Sequence, residues 1–247
     1  MPGRFRRNLE KGYASYRPSA VAEAVVPMVV ELLHPESVLD VGCSYGAWLK
    51  AFAANRTARI AGLDGDYIDR SRLVIAPECF HAADLSGGFT VPGERFDLAL
   101  CLEVAEHLPA RQSRHLVGQL CAAAPMVLFS AAPPGQGGGH HVNCQPLSYW
   151  RALFAEHDYW LLDPFRPRIR DDRRIDWWYR QNMVLFATPA AIAANPKLAN
   201  LKELPAGKEL EWVYMHVAES LSGQLNLIQS LRRALRRLVR KRPGTAP

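Results

Sequence analysis

The sequence predicts an α/β fold: a mostly parallel sheet covered by helices on both faces, followed by a long C-terminal helix. Three observations lead there. Short apolar runs of strand length alternate with helical stretches between residues 37 and 130. The first run ends in a glycine-bearing turn that opens a helix. The last forty residues place apolar side chains at alternating steps of four and three. Strands alternating with helices give right-handed βαβ units, because only that crossover packs a helix back onto a twisted sheet.

The chain opens with a basic, aromatic stretch (Arg4, Phe5, Arg6, Arg7, Tyr13, Tyr16) and a helical run over 19–33, broken at Pro35. Residues 1–34 are expected to form an N-terminal arm and lid helix. Ser37-Val38-Leu39-Asp40-Val41 reads as a buried strand and 47–54 as the helix after the glycine turn. Further strands are expected at 58–64, 78–81, 96–101 and 126–130, with a helix over 111–123 before the fifth. A helix over 148–156 and two late strands, 159–162 and 181–187, complete a domain spanning 35–190. An Arg/Asp-rich excursion, 166–174, separates those two strands. Residues 191–207 read as a linker and 208–247 as an amphipathic basic helix. The series Leu210, Tyr214, Val217, Leu221, Gln224, Ile228, Leu231, Leu235, Leu238 fits two arrangements: a coiled-coil seam making a homo-oligomer, and a helix lying on its own domain.

Composition narrows the function classes. The 247 residues are 49% hydrophobic and 22% charged, which is globular usage. The five cysteines (Cys43, Cys79, Cys101, Cys121, Cys144) are scattered and contain no C-x-x-C pair, against a structural zinc site or a disulfide framework. No apolar run approaches the ~18 residues of a membrane span, and the N-terminus lacks the apolar core of a signal peptide, so a cytoplasmic location is expected. The net charge is +6, of which +5 falls in 208–247. The nearly neutral body is ill suited to gripping a nucleic-acid backbone, whereas the tail suits weak contact with anionic surfaces.

The candidate site begins at Asp40-Val41-Gly42-Cys43-Ser44-Tyr45-Gly46. Gly42 and Gly46 permit a tight turn and a close approach of a ligand to the backbone. A nucleotide-like ligand is expected over this turn, at the carboxyl ends of the strands. The spacing is G-x-x-x-G rather than G-x-G-x-x-G, which disfavours a dinucleotide. Asp64 closes the second strand, where it would accept bonds from ribose hydroxyls, and Asp84 follows the third, with Leu85 beside it to pack on a base.

With Phe96-Asp97-Leu98-Ala99-Leu100-Cys101-Leu102-Glu103-Val104-Ala105-Glu106-His107-Leu108 added, the sequence over about 35–190 resembles the class I S-adenosylmethionine-dependent methyltransferases. The resemblance implies a Rossmann-like, doubly wound sheet of seven strands whose last hairpin is reversed. It also implies S-adenosylmethionine as cofactor, its methionine part wrapped by Gly42, Ser44 and Gly46, with Asp40 a further cofactor-binding residue. Asp64 would then hold the ribose, Asp84 and Leu85 the adenine, and Cys101 and Leu102 would pass under the sulfonium. The segments His141-Val142-Asn143-Cys144-Gln145-Pro146 and Trp177-Trp178-Tyr179-Arg180-Gln181-Asn182 are similar to a bacterial subgroup acting on sugars or other small metabolites.

Methyl transfer is an in-line displacement, and a hydroxyl acceptor must also lose a proton. The glycine-rich loop after the fifth strand carries His140 and His141; His141 is the favoured general base and His140 its rival, against a plain surface pair. His107 either faces the acceptor pocket or only opens a helix. Asn143, Trp178 and Arg180 are candidate acceptor contacts, and Tyr16 a candidate lid residue. Each has a plainer alternative as loop, core or solvated residue. No metal is expected, since adjacent histidines rarely address one ion and no neighbouring acids complete a site. The expected function is methylation of a hydroxyl or amine on a small-molecule or glycan acceptor. The alternatives are a nucleic-acid or protein methyltransferase steered by the basic tail, and a non-catalytic cofactor-binding scaffold assembled through the C-terminal helix.

Overall fold

A computed structural model of the chain describes residues 18–201, 203 and 204. Tyr16, the basic arm and the C-terminal helix expected over 208–247 lie outside the described residues. The sheet has seven strands: β1 Ser37–Val41, β2 Arg59–Asp64, β3 Phe80–Ala82, β4 Leu98–Leu102, β5 Met126–Ser130, β6 Trp160–Leu162 and β7 Val184–Ala187. Their order is β3-β2-β1-β4-β5-β7-β6. β1 to β5 pair in parallel, while β7 runs antiparallel to both β5 and β6. This is the doubly wound, Rossmann-like sheet with a reversed last hairpin. The chain winds outward from β1 to β3 and returns on the other side at β4. The crevice that such sheets use for ligands therefore lies at the carboxyl ends of β1 and β4.

The strands alternate between two cores, as buried parallel strands must. Val38, Leu98, Leu100 and Leu102 face one layer, built from α1 Pro18–Leu33 and α2 Ala47–Ala54. Leu39, Val41, Ala99 and Cys101 face the other, built from α3 Ser113–Ala123 and α4 Leu147–Ala155. Register at the amino edge is fixed by Asp97, whose Oδ2 accepts bonds from the Glu36 and Ser37 amides and from the Ser37 hydroxyl, at 3.0, 2.8 and 2.8 Å.

The helix expected over 19–33 is present as α1, with Val21, Ala22, Val25, Val26 and Val29 buried along one apolar face. Three segments differ from expectation. The excursion after β6 contains a short helix, α5 Arg166–Ile169. The expected strand over 181–187 begins only at Val184, because Trp177–Asn182 forms helix α6, whose last residues spend their amides on buried partners. The first part of the expected linker folds into α7 Pro189–Ala194 and α8 Pro196–Ala199, which bury Ile192 and Leu198 in the α1 layer. Asn195 between them donates to the Leu32 carbonyl at 2.8 Å and so closes the end of α1.

The Arg/Asp-rich excursion pairs largely with itself. Arg174 forks onto Asp172, and Arg168 meets Glu31 of α1 at 3.0 Å. Arg166 differs in being 0% exposed; it pairs with Asp163 at 2.8 Å and donates to the Gln181 carbonyl at 3.2 Å. A guanidinium left uncompensated in the interior is far costlier than a broken surface pair. In urea unfolding, Asp163→Ala is expected to lose about 3–5 kcal/mol, whereas Asp172→Ala should leave the midpoint near wild type.

Candidate active site

The turn after β1 is shaped by the backbone first. Gly42, Ser44 and Gly46 all have positive φ (88°, 49° and 86°), a region that favours glycine. A Cβ on Gly42 would collide with the Val104 side chain, and one on Gly46 would lie 2.8 Å from Ile75. The glycines are thus required by close packing against the β4 corner and the β2–β3 connection. The sequence had suggested a tight turn and the approach of a ligand, but not these packing partners. The Gly42 and Cys43 amides bond to the Leu63 carbonyl at 2.7 and 3.1 Å, tying the turn to β2.

Two buried acids sit beneath this turn. Asp64 is 2% exposed; its Oδ2 accepts from the Ser44 amide at 2.7 Å, and its Oδ1 from the Gly65 amide and the Tyr67 hydroxyl, both at 2.7 Å. Burial raises its pKa, and these three bonds oppose the rise. Asp64 therefore braces the turn through bonds it already holds, and a ribose would compete with Tyr67, a residue the sequence reading did not single out. Asp40 is also 2% exposed, and its Oδ2 has no partner among the described residues. Burial, reinforced by the charge on Asp64, pushes its carboxyl up to about 8.

The other expected cofactor residues are spread more widely. Asp84 is exposed and caps its own turn, accepting from the Ser86 amide at 3.0 Å and the Ser86 hydroxyl at 2.6 Å; these bonds lower its pKa. Leu85 is half-buried against the α3–α4 core. Cys101 points wholly into that same core, on the opposite face from Leu102. Its side chain is spent on that core, leaving its backbone at the strand end.

The chemistry concentrates where β4 ends. Glu103 takes a positive φ (56°) and turns the chain, with its amide bonded to the Ser130 carbonyl and hydroxyl at 2.9 and 3.1 Å. Its carboxylate accepts from Asn182 at 3.1 Å and Gln136 at 3.2 Å, and Asn182 also donates to the Gln136 side-chain oxygen Oε1 at 3.0 Å. Glu106 is 0% exposed; its Oε1 accepts from the Ala132 amide at 3.2 Å, and its backbone carbonyl accepts from the Val142 and Asn143 amides at 2.9 and 3.0 Å. Burial raises both carboxyls, Glu106 the more strongly because the Glu103 charge adds to it. These contacts fold the glycine-rich loop back over the strand end.

The histidines meet there. The rings of His107 and His141 stand edge to face, 4.9 Å between centroids. His107 Nδ1 lies 3.3 Å from the His140 carbonyl, and burial, then the neighbouring His141, lowers its pKa to about 4. His107 is therefore a neutral imidazole at physiological pH. His140 contributes its backbone to this arrangement and adopts φ 63°. One ligand atom from each of Glu106, His107 and His141 lies within 4.8 Å of the others. The expectation that no acid accompanies the histidine pair is corrected here, because Glu106 arrives from a different strand end.

The expected acceptor contacts are mostly occupied elsewhere. Asn143 is 3% exposed and locks the loop, donating to the Ala105 carbonyl at 3.3 Å and the Ser113 hydroxyl at 2.9 Å. Arg180 donates to the Ile175 and Arg170 carbonyls at 3.0 and 2.7 Å. Trp178 is half-buried, edge-on to Trp177 and packed on the α1 layer. The sequence reading also missed Gln136 and Asn182. Their signal was an amide amid small residues in the glycine loop and another ending an aromatic run.

A cleft floored by buried acids and opened by positive-φ glycines suits a nucleoside bearing positive charge, as S-adenosylmethionine does in its sulfonium and amine. Gly42→Ala, which strains the turn and strikes Val104, should weaken S-adenosylmethionine binding at least ~10-fold, equivalent to about 1.4 kcal/mol, by isothermal titration. Asp40 holds its proton more tightly when folded (about 8) than at its ordinary 3.8. Its stabilising contribution is complete below pH 3.8 and drains away as pH rises through 8. Asp40→Asn removes that loss. In urea unfolding the variant should gain on wild type progressively between about pH 4 and 8, by a few kcal/mol; a pH-independent difference would contradict the buried-carboxyl assignment.

Residues 13–131 match the protein family described as a methyltransferase domain. No curated protein shows significant sequence similarity to the chain. Among solved structures, an O-methyltransferase family protein from Burkholderia thailandensis is similar at 11% identity, over 68% of this chain and 57% of that one, with a TM-score of 0.49. The chain thus spans little more than half the length of that protein. A magnesium protoporphyrin IX methyltransferase from Synechocystis, solved with bound S-adenosylmethionine, is similar at 17% identity over 69% and 79%, TM-score 0.49. An amino pentose methyltransferase from Micromonospora echinaspora, involved in calicheamicin biosynthesis, is similar at 23% identity over 53% and 58%, TM-score 0.43. The match to a methyltransferase domain over 13–131 and the sheet order β3-β2-β1-β4-β5-β7-β6 together support a class I S-adenosylmethionine-dependent methyltransferase.

Proposed function

We propose that this methyltransferase acts on a hydroxyl of a small metabolite or of a sugar or glycan unit, with His141 receiving the proton. One observation carries the reading: two imidazoles, His107 and His141, stand edge to face at the carboxyl end of β4. They lie beside the turn expected to hold the cofactor, since Val104 of the same corner fills the space against Gly42. An amine acceptor needs only to be presented neutral. A hydroxyl needs a base within hydrogen-bonding reach, and neutral imidazole serves near physiological pH.

The roles then divide along the strand ends. Asp40, Gly42, Ser44 and Gly46 would hold the methionine part, Asp64 the ribose, and Asp84 with Leu85 the adenine. The strand end at Cys101 and Leu102 would pass under the sulfonium. His107 keeps its ring neutral and walls His141 on one side. Trp178 and Arg180 belong to the acceptor side only through the helix they build. The basic tail, 208–247, serves assembly or contact with anionic surfaces.

The test is a panel of sugars, nucleotide sugars, phenols and amines, scored by S-adenosylhomocysteine release and by the position of the new methyl group. His141→Ala should lower turnover ~10²–10⁴-fold while binding S-adenosylmethionine normally. Gly138→Ala gives an independent check, because its methyl would strike the His141 ring, whereas nothing lies within 4 Å of a Cβ on Gly137. Displacing the base by about 1 Å should cost ~10²-fold in Gly138→Ala, with Gly137→Ala at the wild-type rate. Full activity in His141→Ala would end the base assignment; a methylated amine with no methylated hydroxyl would end the acceptor assignment.

A further inference from the structure

We infer that Glu106, His107 and His141 form a binding site for one divalent transition-metal ion of the manganese, cobalt or zinc type. Their ligand atoms gather within 4.8 Å, from the end of β4 and the loop after β5. Three features make this more than a crowd of polar groups. Glu106 is wholly buried, and its Oε2 has no donor among the described residues. The nearby group facing it is another acceptor, the Glu103 carboxyl, close enough to share a hydrogen bond. Two buried carboxyls in contact must hold a proton or a cation between them.

The histidines are prepared in the manner of ligands. His107 Nδ1 is directed to the His140 carbonyl at 3.3 Å, which sets the Nδ1–H tautomer and leaves the Nε2 lone pair available. Metal-bound histidines are commonly oriented by this kind of carbonyl contact. His141 has a buried Nδ1 with no partner among the described residues. Ligand atoms 2.0–2.2 Å from an ion stand closer together than 4.8 Å. The remaining closure falls to the loop around His141, where Gly137 and Gly139 have open space around them. Two imidazoles and a carboxylate suit first-row transition ions, whereas magnesium and calcium favour all-oxygen sites.

The site deepens the hydroxyl-acceptor reading and, in its chemical use, rests on it. Three protein ligands leave coordination positions for the acceptor oxygen, whose proton is then lost more readily. The O–H bond breaks to solvent water, oxygen bonds to the methyl carbon, and the C–S bond breaks to release a neutral thioether. In the ion-bound protein His141 is a ligand and the proton passes to solvent water, so the base role proposed above for His141 belongs to the ion-free protein.

The full-length chain, stripped with a chelator and dialysed, is titrated with Co²⁺ alone and followed by visible ligand-field absorption and calorimetry. One ion per chain is expected. His141→Ala and His107→Gln should each weaken it by at least ~10²-fold, with the fold checked by circular dichroism. These two variants carry the test even if Glu106→Gln fails to fold. Absence of saturable uptake, or uptake that either histidine variant retains at wild-type affinity, overturns the site. Without uptake, hydroxyl methylation by the stripped protein would preserve the acceptor reading on its own. Uptake in a protein that methylates no hydroxyl would preserve the site and remove that reading.

Discussion

Glu106 holds the active end of the molecule together. Its backbone carbonyl receives the amides of Val142 and Asn143, and its carboxyl receives that of Ala132. These three bonds fasten both ends of the loop from 132 to 143 to the corner after β4. Without them His141 would have no fixed relation to His107, because the intervening glycines supply no side chains to pack. Asn143 completes the fastening by reaching the Ala105 carbonyl and the Ser113 hydroxyl at the start of α3. A loop rich in glycine, which by composition should wander, is thereby given a defined course over the cleft.

The same corner shows how the fold tolerates buried acids. Asp40, Asp64, Glu103 and Glu106 all lie under the carboxyl edge, and burial raises the pKa of each. Unpaired ionised carboxylates there would be prohibitive, so each is handled differently. Asp64 is saturated by two amides and a phenol. Glu103 receives two side-chain amides. Glu106 receives one backbone amide and faces Glu103, and Asp40 keeps an oxygen without a donor among the described residues. The unmet demand is for positive charge, and it lies at the strand ends where doubly wound sheets bind their ligands. Folding stability is given up at this edge in return for a field of one sign.

Much of the fold was legible because its signals are local. The strand at Ser37–Val41, the helix Ala47–Ala54 and the strand Met126–Ser130 have the same bounds in sequence and structure, each being a short apolar or helical run with a break at either end. The late region was less legible. Trp177 to Asn182 carries residues that suit strands, yet it folds as a helix, because Gln181 and Asn182 find partners on Arg166, Gln136 and Glu103 that lie far away in sequence. The site divides similarly. The glycine turn was visible, but the reason for Gly42 was not: it is Val104, sixty-two positions later. Glu106 and His107 were visible as a pair, while their meeting with His141 depends on the return of a loop, which no periodicity encodes.

The network around Glu103 has a further consequence. Asn182 ends the aromatic helix Trp177–Asn182, and it grips both Glu103 and Gln136. Tyr179 of that helix packs edge-on against Trp48 of the helix following the glycine turn, 5.6 Å between centroids. One short helix therefore touches the helix after the glycine turn through an aromatic contact and the loop after β5 through an amide. A displacement of that helix would move both together, since neither contact leaves slack in a close-packed interior. The aromatic run, for which the sequence left both acceptor stacking and plain core packing open, acts in the fold as a strut between the helix after the glycine turn and the loop after β5.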